Sequence, residues 1–130
     1  MKIQFKLEIA AIGVFTLLLL LARMNILPNF VHLFYALVAS VYFFPIRLVM
    51  RKENDTSLPQ VLSSFVVSSS IVMISLITTV GNTNQYLVGA GAMLSILNLV
   101  GAFYYFSKSD TNIACLHLAA QFMMSVYFFN

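Results

Sequence analysis

The amino-acid sequence predicts an all-α integral membrane protein, one membrane domain over residues 1–130 folded as an up-and-down bundle of five transmembrane helices. Three observations predict it. Five apolar stretches fill nearly the whole chain, and the links between them are too short to form a soluble domain. Hydrophobic residues make up 61% and charged residues 8%, against roughly 25% charged in an ordinary soluble domain. Six of the seven Lys and Arg residues also fall at the N-terminus and alternate links, as they do in a chain that crosses a bilayer repeatedly.

The first span, about residues 8–23, is the shortest. Its uncharged run from Ile9 to Ala22 approaches the ~20 residues needed to cross ~30 Å of hydrocarbon only if Glu8 and Arg23 snorkel to the headgroups. Lys2 and Lys6 before an apolar run resemble a signal peptide, but Leu20-Leu21-Ala22 is followed by Arg23 rather than by a small-x-small cleavage site. An uncleaved span is therefore expected. Met1 to Ile9 alternates apolar and polar residues, and with no partner strand it reads as an interfacial lead-in.

The second span, about 29–50, opens after Pro28, where a helix start tolerates proline. Pro45 falls inside its apolar run, and is expected to kink the helix or end it near Phe44. The third span, about 58–80, opens with Pro59; the fourth and fifth cover about 86–106 and 112–129. The connections Met24 to Asn29, Arg51 to Ser57, Gly81 to Gln85 and Ser107 to Asn112 are short enough to make successive spans antiparallel neighbours.

Five spans place Lys2, Lys6, Arg47, Arg51, Lys52 and Lys108 on one face and Arg23 alone on the other. The positive-inside rule then puts the N-terminus in the cytoplasm and the C-terminus outside. Arg47, Arg51 and Lys52 are expected headgroup contacts. The net charge of +3 is a consequence of this topology and implies no nucleic-acid partner. The expected location is a multi-pass position in a membrane of the bacterial inner (cytoplasmic) type. Aromatic groups at the span ends, such as Tyr42 to Phe44 and Phe103 to Phe106, read as interface anchors.

The third span carries Gln60, Ser64, Ser68, Ser75 and Thr79 at spacings that share one helix face. The fourth carries Gly91, Ser95, Asn98 and Ala102, the fifth His117, Gln121 and Ser125, and the second His32, Ala36 and Ser40. In lipid such faces are where helices meet. The same residues are also candidates to line a polar path. Amides and imidazoles are the more telling members, since a helix does not readily satisfy them itself. The candidate cluster is Ser68, Ser75, Asn98, His117 and Gln121, with Gln60, Ser64, Thr79 and Ser95 as a secondary stripe. The Leu-rich first span is expected on the lipid side, leaving spans two to five to share the polar face.

His32 begins the second span at the outer face and His117 lies near the inner face in the fifth, about 18 Å apart in depth, so one metal cannot use both. Cys115 is the single cysteine, which excludes an intrachain disulfide and reads as a packing residue. Glu8, Glu53, Asp55 and Asp110 all sit at or beyond span ends, with Lys6 a local partner for Glu8. No metal, cofactor or catalytic group is expected. The expected function is transport or permeation of a small solute or ion by a homo-oligomer, the alternative a non-catalytic subunit assembled with other membrane proteins.

Overall fold

Apolar composition makes every stretch compatible with helix, so what positions each helix is the signal at its ends. In the computed structural model, which describes residues 3–46, 58–81 and 84–125, five helices follow in order: α1 (Ile3–Arg23), α2 (Asn29–Val41), α3 (Leu58–Val80), α4 (Gln85–Ser107) and α5 (Thr111–Met124). The described residues contain no strand. Asn84 caps α4 by accepting the Tyr86 and Leu87 amides at 3.0 and 3.3 Å, and Asp110 caps α5 by accepting that of Ile113 at 3.3 Å. At the other ends, Asn25, Gly81 and Ser109 turn the chain through the left-handed region, at φ of 59°, 87° and 60°.

Proline acts on α2 as expected. The residue before Pro45 is pushed out of helical geometry: Phe44 has φ −139° and ψ 98°, inside a wide turn over Tyr42–Ile46. Arg47, Arg51 and Lys52, and the acidic pair of the same link, lie outside the described residues. So do the residues after Ser125.

α1, α3 and α4 are long and apolar enough to cross a membrane, with mean hydropathies of 2.1, 2.1 and 1.7; the helix continuing to Phe44 is apolar but shorter. Each helix packs on its neighbours in sequence, and α1 also packs on α5, which closes the bundle. The central helix is α3, which touches all four others.

Two expectations are corrected by this packing. The lead-in proposed for the N-terminus is already helix from Ile3, because Phe5 and Glu8 continue the buried stripe Ile12, Phe15, Leu19 and Ala22 in alternating steps of three and four. Lys6, expected beside Glu8, is exposed, while Glu8 is buried and accepts from Tyr42 Oη at 3.0 Å and Gln4 Nε2 at 3.3 Å.

Nor is α1 the outlying helix. Its Ile12, Phe15 and Leu19 join Ala36, Phe43, Val67, Ile71, Ile74, Leu116, Ala120 and Met123 in the main core. Phe15 stacks on Tyr35 at 5.4 Å, and Tyr35 Oη donates to the Ala11 carbonyl at 2.8 Å. Of the three helices long enough to cross a membrane, α4 is the least covered, with 22% of its apolar stretch buried against 39% for α1.

Candidate functional site

Ser63 and Ser70 lie seven residues apart on α3, which is two turns less about 20°, so both face the same way. Opposite them stand Asn98 of α4 and His117 of α5, both buried. Ser63 Oγ lies 2.6 Å from His117 Nε2, and His117 Nδ1 lies 3.0 Å from Asn98 Oδ1. Asn98 Nδ2 donates to Ser70 Oγ at 2.8 Å and to the Leu94 carbonyl at 3.0 Å. Ser70 in turn donates to the Val66 carbonyl at 2.7 Å.

The direction of this chain follows from one atom. The Leu94 carbonyl can only accept, so the Asn98 atom beside it is the NH₂ group and the atom facing the imidazole is the oxygen. Oxygen accepts from Nδ1–H. A neutral His117 then presents its Nε2 lone pair to Ser63, whose hydroxyl donates. Three helices are joined by a single run of donors that ends on the α3 backbone.

The imidazole is held by packing as well. A Cβ at Gly101 would sit 3.0 Å from His117 Cε1 and Nε2 and 3.1 Å from Cδ2, so only glycine lets α4 approach the ring this closely. One turn on, Tyr105 stacks against the same ring at 6.0 Å and 15°. Beside these groups lies a groove of about 270 Å³. Leu62 and Val66 of α3 and Leu97 and Val100 of α4 wall it, and Ser63 and His117 lie on its floor. Its rim is exposed and apolar: Leu62, Leu97 and Val100 are 52%, 44% and 57% exposed.

The remaining polar groups form separate joints. His32 Nδ1 lies 2.6 Å from Ser75 Oγ and its Nε2 3.2 Å from Asn29 Oδ1. Ser68 donates to the Ser40 carbonyl at 3.0 Å, and Ser95 to Gln121 Oε1 at 2.8 Å. The two imidazoles thus meet serines twelve residues apart on α3, about 18 Å along the helix. Among the described residues no three His, Cys, Asp or Glu side chains come together.

Of the cluster read from the sequence, Asn98 and His117 are in contact. Gln121 occupies the next rung of the α4–α5 pair with Ser95, Ser75 belongs to His32, and Ser68 to α2. From the secondary stripe, Ser64 is buried, Gln60 half-buried, and Thr79 exposed with its hydroxyl on the Ser75 carbonyl. Ser63 and Ser70 were absent from the stripe. Their signal was the seven-residue repeat Ser63, Val67, Ser70, Ile74, Ile77, which keeps phase with α3's packed face. The spacing from Gln60 to Thr79 turns through five turns plus about 100°, so its two ends face differently.

Comparison with protein-family models, curated proteins and solved structures gives no match.

Proposed function

We propose that the chain is an integral membrane protein crossing the bilayer five times, N-terminus cytoplasmic and C-terminus outside, and that its α3–α4 groove binds the acyl chain of a bilayer molecule. Membrane residence is supported by the outer faces of α2 and α4. Phe30, Phe34 and Leu37 are 70%, 69% and 62% exposed, and Ile96 and Phe103 61% and 74%, more than a soluble surface tolerates in contiguous patches. The six-to-one distribution of Lys and Arg supports the orientation.

The observation that carries the binding reading is the groove itself. Apolar walls converge on two buried polar side chains, the pattern of a site that takes an apolar ligand and fixes one polar end. In a bilayer the apolar rim faces lipid, so the ligand enters sideways from the hydrocarbon. A phospholipid whose acyl chain bears a diazirine tests this in nanodiscs. The expected adducts concentrate on Leu62, Val66, Leu97 and Val100 and fall when Val100→Trp fills the groove. Adducts spread over α2 and α4 in proportion to exposure contradict it.

A second reading, permeation by a homo-oligomer, is favoured by the open face of α4. Inside the subunit the polar joints are separated by apolar residues such as Val67, Ile71 and Ile74, so a solute path belongs between copies. The same face would equally serve assembly with another membrane subunit. The native mass of the detergent particle distinguishes these: a monomer excludes a shared pore.

A further inference from the structure

We infer that Ser63 is a nucleophile for acyl transfer, with His117 as its general base and Asn98 as the residue that positions the imidazole. This inference rests on the groove being a binding site for acyl chains. It goes beyond that reading by assigning the site a reaction.

Three features of the geometry point to it. The Ser63 hydroxyl is 2.6 Å from Nε2, within reach for proton transfer to the imidazole. The far nitrogen is tied at 3.0 Å to an oxygen whose orientation the Leu94 carbonyl dictates, so the tautomer leaves the Nε2 lone pair toward Ser63. Hydroxyl, imidazole and an orienting acceptor in that order are the arrangement by which a serine is activated on unrelated folds. Both Ser63 and His117 line the groove, whereas Ser75 and His32, which make a bond of the same length, do not.

Depth narrows the substrate class. Ser63 lies five residues into α3, about 7.5 Å from its first residue. A helix of 23 residues is about 34 Å long, so its ends overhang a ~30 Å core only slightly and Ser63 falls within about 6 Å of the hydrocarbon edge. That is where the carbonyl of a long-chain acyl ester meets the hydrocarbon, with the chain free to lie along the apolar walls.

The reaction balances without any further group. Ser63 Oγ attacks the ester carbonyl carbon as its proton passes to His117 Nε2. The bond to the leaving alcohol breaks, the alcohol departs with that proton, and the acyl group remains on Ser63. Water or a second alcohol then attacks the acyl-serine, giving its proton to Nε2, which returns it to Ser63 Oγ. The products are a carboxylic acid or a new ester, together with the first alcohol.

The test uses the full chain in nanodiscs with a long-chain alkyl fluorophosphonate. Ser63 Oγ would bond to phosphorus, fluoride would leave, and the hydroxyl proton would pass to His117. The expected result is one adduct, mapped by peptide mass to Ser63, absent in Ser63→Ala and present in Ser75→Ala. In His117→Gln, which retains a hydrogen-bonding group but no base, labelling should slow by about 100-fold or more. Mapping on the unmutated protein makes the result independent of whether Ser63→Ala folds. No adduct on a monodisperse protein, or an adduct that persists in Ser63→Ala, overturns the assignment. Diazirine-lipid adducts in the groove without a phosphonate adduct overturn the nucleophile and leave the binding reading standing; the absence of both overturns both.

Discussion

Adding one methyl group at Gly101 tests how tightly His117 is held. Alanine in place of glycine within a helix ordinarily stabilises by about 0.5–1 kcal/mol through the unfolded chain's lost freedom. At Gly101 the new Cβ meets three ring atoms at 3.0–3.1 Å. The ring has little room to yield, because Ser63 at 2.6 Å and Asn98 at 3.0 Å hold its two nitrogens. Overpacking of this kind costs about 1–3 kcal/mol. Gly89→Ala is the matched control, since nothing lies within 4 Å of a Cβ there. The backbone gain cancels between the two variants, so Gly101→Ala should be less stable than Gly89→Ala by the overpacking cost alone. At about 4 °C per kcal/mol for a chain of this size, their midpoints should differ by about 4–12 °C. The assay is the fraction that remains monodisperse in mild detergent after stepwise heating. Equal midpoints would refute the claim that the imidazole is pinned at both nitrogens.

Asn98→Leu leaves the Nδ1–H of a His117 that is 1% exposed without its acceptor, while Ser70 keeps the Val66 carbonyl. The expected loss is about 1–3 kcal/mol, above the ~0.6 kcal/mol typical of one interhelical hydrogen bond in a membrane. A thermal midpoint within error of the unmutated protein contradicts it. Tyr42→Phe removes a donor to Glu8 Oε1, and about 0.5–1.5 kcal/mol is expected, less than for Asn98→Leu in the same assay. Phe15→Ala in α1 should cost about 3–5 kcal/mol, because its ring is 1% exposed and stacked on Tyr35. Ile96→Ala in α4, at 61% exposure, should fall within about 0.5 kcal/mol of the original. The reverse order would restore α1 as the outlying helix.

The contrast between α4–α5 and α1 shows what the sequence carries. Asn98, His117 and Gln121 are polar residues in apolar helices joined by a short link, so hairpin geometry alone brings Asn98 to His117 and Ser95 to Gln121. Likewise Pro45 announces the break at Phe44, because its ring restricts the preceding residue whatever the surroundings. From Ile9 to Ala22 α1 is apolar except for Gly13 and Thr16, so the packed stripe there has no polar contrast to mark it. Burial of Glu8 was equally hidden, since its donor Tyr42 is 34 residues away in sequence. In helix α3 the ambiguity has another source: the paired serines Ser63-Ser64 and the run Ser68-Ser69-Ser70 offer stripes about 100° apart. Only the positions of His117 and Asn98 choose between them.

Asn98 holds His117 with its proton on Nδ1 and its Nε2 lone pair on Ser63, at the floor of the α3–α4 groove. Solid-state NMR of the ¹⁵N-histidine-labelled chain in bilayers at neutral pH tests it directly, with His32→Gln identifying the His117 signals. A protonated Nδ1 and an unprotonated, hydrogen-bonded Nε2 are expected, with a loss of that preference in Asn98→Leu. A His117 that carries its proton on Nε2, or whose tautomer is indifferent to Asn98, contradicts it.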